Sequence, residues 1–363
     1  MSNYVEFGNK IAFHPGYYIK EYIDEVGMTQ EDFANRLGTT PKNISYIIRG
    51  EQSISVDIAN KLSRMIGTSI KYWLNLQSEY DALLFEFNNE QEIQDEREVF
   101  KCLKYSYFRD NFDLPDIPKK VDEQIKNVRE FLNVSSLNVF KNVDMYVRFR
   151  SVALEQSEVS MIRANIMAQI ATNLSMKEVT IPKYDKKSFL KSIEYALTLT
   201  KRHDDFYRLI KESFYHSGVD LIVLPNIAGS KINGATKRVG NHVMLMVNDR
   251  NSNSESFWFT LFHEIGHIIN GDFGVSFENE CGKEEEEADK FAEECLIPTN
   301  EYVQFVTNGI FTVKSILDFA DKINRDPGIV LGRLQNDKKI GYDDWRFKTL
   351  RKKYVISSEK DEF

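Results

Sequence analysis

Cysteine is scarce in this chain. Only Cys102, Cys281 and Cys295 occur in 363 residues. An odd, widely spaced set builds no disulfide framework and argues for reduced thiols. Long apolar runs are missing as well: none approaches the roughly 20 residues that a bilayer span requires, so no membrane partner is expected. The opening Met1-Ser2-Asn3-Tyr4-Val5-Glu6 lacks the apolar core of a signal peptide, which predicts a cytoplasmic protein. There is no Walker motif, no dinucleotide fingerprint and no convincing internal repeat. Nor is there a basic excess, because the formal net charge is −8. What remains is a globular composition, 42% hydrophobic and 28% charged, long enough for two or three domains.

The densest chemical signal is His263-Glu264-Ile265-Gly266-His267. On a helix, histidines four residues apart sit about one turn apart and can reach one zinc ion, with the glutamate beside it. The flanking Phe257-Trp258-Phe259-Thr260-Leu261-Phe262 and Ile265, Ile268 and Ile269 are apolar almost all round, as in a buried helix. Asn270-Gly271 supplies its C-terminal stop. Two core histidines satisfied by ordinary hydrogen bonds are the bland alternative.

A third ligand is sought in Lys283–Pro298, where Ala288, Phe291, Ala292, Cys295 and Leu296 recur at helical spacing. Glu286 and Glu287 point away from that face, whereas Glu284 and Glu285 border it. Only Glu285 has Asp289 four residues on, placed to accept the spare N–H of a ligating histidine. Glu285 is therefore the expected ligand, Asp289 its outer support, and Glu284 the other candidate. Cys281, four residues before Glu285, is weighed both as a redox-sensitive ligand and as an ordinary buried thiol. Two imidazoles and a carboxylate leave one position open, the pattern of a catalytic zinc site. Glu264 would take a proton from water and pass it to a leaving amine, which implies peptide-bond hydrolysis. His242, His216, Tyr215 and Arg333 are oxyanion candidates by residue type alone.

Residues 14–77 read as five short helices with abrupt stops. Pro15 opens the first; Thr29 caps the second, which carries Phe33, Ala34 and Leu37 inward until Gly38. Thr40-Pro41 starts a helix with Ile44, Ile47 and Ile48 on its apolar side, stopped by Gly50. Two short helices joined by a tight glycine turn form the helix-turn-helix pattern. The second would enter a major groove with Thr40, Lys42, Asn43 and Tyr46 exposed and Arg49 near a phosphate. Gln30, at the start of the preceding helix, would brace the phosphate backbone. Residues 33–50 hold Arg36, Lys42 and Arg49 and no acid, although residues 1–80 as a whole carry 8 basic and 9 acidic groups. Modest, salt-sensitive affinity for double-stranded operator DNA follows.

Between these signals, Glu86–Glu98 is acidic and apolar-poor, a linker or exposed helix. Val121–Leu132, Met161–Leu174 and Phe189–Leu199 are amphipathic and read as a helical spacer. Val219–Leu224 and Val243–Val247 are strand-like, a small sheet whose edge would align a substrate peptide. Ile316–Ile323 and Gly328–Asn336 are helical. The expected fold is α+β and mostly helical: a five-helix helix-turn-helix domain at 1–80, a helical spacer at 81–200, and a zincin-like domain with a small sheet at 201–363.

Residues 14–80, from His14-Pro15-Gly16 through Met28-Thr29-Gln30 and Ile44-Ser45 to Tyr72–Gln77, resemble the plasmid-maintenance antidote branch of the Xre-type repressors. Phe257–His267, with Glu285-x-x-Ala288-Asp289-x-Phe291-Ala292 and Leu296-Ile297-Pro298, resembles the ImmA/IrrE metallopeptidases. Gly234-Ala235-Thr236 and Pro327–Gln335 are similar to features of the fused form of the two families. The resemblance implies a DNA-binding regulator coupled to a zinc endopeptidase acting on a protein substrate, commonly a repressor. It implies zinc on His263, His267 and Glu285, with Glu264 as acid/base, and a homodimer on a palindromic operator. Asp326 departs from the pattern, standing where a histidine is expected before Pro327. The other reading is a non-proteolytic antitoxin or repressor whose zincin-like domain serves as sensor or toxin-docking module.

Overall fold

The computed structural model describes residues 4–141, 157–178, 180–248, 253–277 and 282–354. Cys281 lies outside the described residues. The chain divides into two compact units, Met1–Glu96 and Arg97–Phe363.

The first unit opens with an antiparallel hairpin, β1 (Tyr4–Phe7) and β2 (Lys10–Phe13), absent from the sequence reading. Five helices follow: α1 (Pro15–Val26), α2 (Gln30–Leu37), α3 (Pro41–Ile48), α4 (Val56–Ile66) and α5 (Ile70–Lys101). Their starts are fixed by caps. The side chains of His14, Thr29, Thr40 and Ser55 accept the backbone N–H of Gly16, Asp32, Asn43 and Ile58. Ile19, Phe33, Ile44, Ile47, Leu62 and Trp73 are buried together at the centre, each contributing roughly 1.5–3 kcal/mol by leaving water. Gly16 permits the closest approach in this core, since a Cβ there would lie 1.9 Å from the Ile47 carbonyl oxygen. The acidic stretch Glu86–Glu98 is helical, part of the uninterrupted 32-residue α5.

The second unit contains α6 (Tyr105–Phe112), α7 (Val121–Leu132), a 3-10 turn (Leu137–Lys141), α8 (Glu158–Lys177), α9 (Lys186–Thr198) and α10 (Phe206–His216). Then come β3 (Val219–Leu224), β4 (Ile232–Val239), β5 (His242–Asn248), α11 (Ser254–Asn270), β6 (Gly274–Phe277) and α12 (Lys283–Leu296). Helices α13 (Thr299–Thr307), α14 (Val313–Lys322) and α15 (Pro327–Asn336) and the 3-10 turn Trp345–Leu350 complete it. The sheet order is β3-β5-β4-β6, with β3 parallel to β5 and the other pairs antiparallel.

Alternation along the strands builds two cores. Val219, Leu221, Val243, Leu245 and Val247 face Trp258, Leu261, Phe262 and Ile265 of α11. Ile222, Ile232, Ala235, Met244, Met246 and Val275 face the α7–α8 side, with Ile162, Ile166 and Ile170 of α8. The stretch read as a spacer thus divides between the units: α8 covers the second face of the sheet, whereas α9 packs into the core on the first. The sequence predicts an amphipathic stretch over Met161–Leu174, but α8 is buried almost all round, with Asn165, Gln169 and Thr172 as enclosed as Ile162, Ile166 and Ile170. Within the described residues no helix is long and apolar enough to cross a membrane.

Candidate functional site

Helix α11 is wedged between the sheet and α12, and its His263, Glu264 and His267 are as buried as the apolar residues around them. Glu264 and His267 have no exposed surface and His263 retains 8%. Such burial is costly unless the groups are paired or ligating. Gly266 decides how near α12 comes: a Cβ built there would stand 3.0 Å from Ala288 Cα and 3.3 Å from its Cβ. Helix α12 therefore lies close against α11, and Glu285, one turn before Ala288, is carried to the histidines.

Three ligand-type groups converge. His263 Nε2 is 3.0 Å from Glu285 Oε2, His267 Nε2 is 3.0 Å from His263 Nε2, and His267 Nε2 is 3.4 Å from Glu285 Oε1. Donors at ordinary zinc distances in a tetrahedron are about 3.3 Å from each other. The outer ring nitrogens are held as well. His263 Nδ1 is 2.8 Å from Asp289 Oδ1, and His267 Nδ1 is 3.0 Å from Asp272 Oδ2. These contacts turn both Nε2 atoms inward.

The electrostatics agree with the geometry. Burial works against a charged His263, yet hydrogen bonding to the Asp289 and Glu285 carboxylates outweighs it and raises the pKa to about 10. Burial likewise opposes the Glu285 carboxylate, but the two imidazoles hold it well below the usual range. The space between the three side chains favours positive charge. Glu264 is the counterpoint: both carboxylate oxygens are buried with no hydrogen-bond partner. An enclosed, unpartnered carboxylate beside two imidazoles fits a group kept for a polar species supplied from outside. Gly234 on β4 makes room for it, since a Cβ there would fall 2.5 Å from Glu264 Cγ and Oε1.

The structure thus gathers His263, Glu264, His267, Glu285 and Asp289, and turns the other residues elsewhere. Glu284, Glu286 and Glu287 are exposed. His242 Nε2 is 2.9 Å from Ser175 Oγ, and the Tyr215 hydroxyl pairs with Thr180. His216 packs beside Tyr215, and Arg333 is paired with Glu293 at 2.7 Å and Asp337 at 3.1 Å. None of these four oxyanion candidates joins the cluster. Asp326 caps α15 by accepting Gly328 N–H, takes a hydrogen bond from Ser254, and pairs with His203 at 3.2 Å. Those contacts hold Asp326 at the start of α15. Asp272 escaped the sequence reading. Its only signal is its position just beyond the Asn270-Gly271 stop, where its N–H returns to the His267 carbonyl at 3.1 Å.

In the first unit Gln30, Thr40, Lys42 and Arg49 are exposed, and Asn43 and Tyr46 half-buried. The Thr40 hydroxyl is committed to capping α3, and the Asn43 amide donates to Thr39 Oγ1 at 2.9 Å. Lys42 and Arg49 both lie over the Tyr46 ring, at 5.6 and 5.1 Å from its centroid. Arg49 also pairs with Glu51 at 3.0 Å. Helix α3 and its C-cap therefore present two cations around one aromatic plane.

Residues 19–73 match the helix-turn-helix family model. Virulence-associated protein I of Dichelobacter nodosus is 34% identical over 76 residues, 21% of this chain and 70% of that protein. The HTH-type transcriptional regulator YddM of Escherichia coli K12 is 37% identical over 71 residues, 19% of this chain and 76% of the relative. The chain belongs to the helix-turn-helix regulators. This helix-turn-helix regulator carries more than the shared domain, for residues 221–311 match the IrrE N-terminal-like domain. Among solved structures it is similar to PA4674 of Pseudomonas aeruginosa in complex with its operator DNA. That match has 31% identity, a TM-score of 0.22, and covers 24% of this chain and 92% of the other. An addiction module antidote protein of the HigA family from Coxiella burnetii is 29% identical, with a TM-score of 0.22 over 23% of this chain and 90% of that one.

Proposed function

We propose that the second unit is a zinc-dependent endopeptidase and the first unit an operator-binding domain, joined in one regulator. The observation that carries the peptidase reading is the convergence of His263 Nε2, His267 Nε2 and Glu285 beside the unpartnered Glu264. Two nitrogens and one carboxylate are a donor set that leaves a coordination position open. Zinc bound there would supply Lewis acidity, polarising a carbonyl and acidifying a water to a pKa of about 7. Glu264 accepts the proton of the attacking water and returns it to the leaving amine. Asp289 and Asp272 keep the two imidazoles in the tautomer with Nε2 free to ligate. Strand β6 ends the sheet order, and an extended substrate would add to that edge by backbone hydrogen bonds.

The decisive test uses full-length protein with Glu264→Gln. The variant keeps its zinc, measured by elemental analysis, and loses cleavage of its protein target and the response that depends on it in cells. Unchanged cleavage, or wild-type protein without zinc, overturns the peptidase reading. An unchanged cellular response favours a docking or sensing role for this fold.

For DNA, Thr40, Lys42, Asn43 and Tyr46 at the cap and along α3 would meet base edges, with Arg49 just past its end near a phosphate and Gln30 on the backbone. A mobility shift with the protein's own upstream region shows a complex weakened by Asn43→Ala. No complex at low salt removes the claim. A palindromic site would bind a homodimer.

A further inference from the structure

A cavity of about 530 Å3 lies inside the second unit, beside the ligand cluster rather than on it. Its walls continue the elements that build that cluster. Phe259 stands one turn before His263 on α11, the two ring centroids 6.3 Å apart. Glu293 stands one turn after Asp289 on α12, and Asn233 immediately precedes the Gly234 that abuts Glu264. The cavity's size is that of a ligand site, and its walls on α11 and α12 lie one helical turn along the chain from His263 and Asp289.

Its chemistry selects an occupant. Phe259, Leu296, Ile297 and Ile329 supply apolar surface, about matched by polar surface from side chains such as Asn233, Asn253 and Asn336. Each cation on the wall already has a counter-ion: Arg333 with Glu293, and Arg351 with Nε 3.1 Å from Glu255 Oε1 and a hydrogen bond to Gln335. The wall's two carboxylates and two guanidiniums pair off, Glu255 with Arg351 and Glu293 with Arg333, and Glu255 Oε2 is buried without a hydrogen-bond partner. An incoming charge would lose its water and meet no net opposite charge, whereas an uncharged side chain loses little. We propose that this cavity is a specificity subsite, receiving a large uncharged side chain, aromatic or aliphatic, from a residue next to the bond that is cut. The proposal rests on the endopeptidase reading.

The test uses zinc-loaded full-length protein and a mixture of peptides of random sequence, with cleavage sites read by mass spectrometry. Two variants fill the cavity from different walls, Thr260→Phe on α11 and Asn336→Trp on α15, and zinc content and melting temperature verify their folds. Wild type cuts beside Phe, Tyr, Leu or Met at least tenfold more often than beside Lys, Arg, Asp or Glu, and both filled variants shift the preference to small residues. In parallel, N-acetylphenylalanine amide binds wild type and Glu264→Gln alike. Its affinity is millimolar, on the order expected for about 15 non-hydrogen atoms. The lysine and glutamate amides do not bind, and neither filled variant binds the phenylalanine amide. Cleavage without this preference, or an unchanged profile in both filled variants, overturns the subsite and leaves the peptidase standing. If wild type cuts no more than Glu264→Gln, the endopeptidase reading fails and the subsite falls with it.

Discussion

Replacing Gly234 by alanine should silence hydrolysis without disturbing the metal. The added Cβ would stand 2.5 Å from Glu264 Cγ and Oε1 and 2.6 Å from Cδ. Ordinary carbon contacts are about 3.5–4.0 Å, so the overlap is on the order of 1 Å. Strand β4 cannot retreat easily, because it is registered against β5 on one side and β6 on the other. Glu264 must move instead. A displacement of about 1 Å at a reacting group costs roughly 10²-fold, and loss of a general base altogether roughly 10²–10⁴-fold. His263 and His267 project elsewhere on α11 and keep their carboxylate partners. Gly234→Ala should therefore cut the random peptide mixture roughly 10²-fold more slowly while holding zinc within about threefold of wild type, measured by competition with a chelator. Near-normal cleavage would refute the assignment of Glu264. Lost zinc would show that β4, not the glutamate alone, supports the ligands.

Asp272→Asn and Asp289→Asn each remove a carboxylate from an outer imidazole nitrogen and should lower zinc affinity roughly 10–100-fold, read by the same chelator competition; an unaffected Asp272→Asn would mean that the turn does not orient His267. Gly266→Ala forces α12 away by a few tenths of an ångström and should lower both zinc affinity and melting temperature, whereas Gly234→Ala spares zinc affinity. Burial pushes the Cys295 thiol up to about 11. At pH 8 its alkylation should be roughly 10²-fold slower than in the unfolded chain. The folded-state pKa is the raised one, so this thiol favours folding below about pH 9 and the contribution is lost as pH rises toward 11; fast labelling of native protein at pH 8 would contradict the burial. Lys42→Ala should weaken DNA binding at every sequence and flatten the salt dependence by about one unit of slope; a change confined to one operator base would make it a base contact instead.

The parts of the site that could be read in the sequence are those where helical spacing fixes direction. His263 and His267 four residues apart, and Glu285 with Asp289 four residues apart, each define one face of one helix. The caps at Thr29 and Thr40 are legible for the same local reason, as are β3 and β5 from their largely apolar runs. What escaped depends on contacts distant in sequence or on turn geometry. Gly234 matters only because Glu264, thirty residues on, packs against it. Strand β4, with Asn233, Gly234 and Lys237 in its run, carries no strand signature; it exists because β5 and β6 flank it. Helix α8 reads as amphipathic, yet it is buried on nearly every side, because its polar Asn165, Gln169 and Thr172 are enclosed by contacts distant in sequence.

The turn after α11 joins two structures without slack. Gly271 takes φ 83°, Asp272 reaches back to His267, and after Phe273 alone the chain enters β6. The carboxylate that steers one imidazole is thus mounted on the end of an outermost strand. Lengthening this connection by a single residue would rotate Asp272 off its imidazole while leaving both flanking elements intact. Loop grafts and tags placed at this apparently ordinary bend would therefore act on metal retention, although the bend supplies no ligand itself.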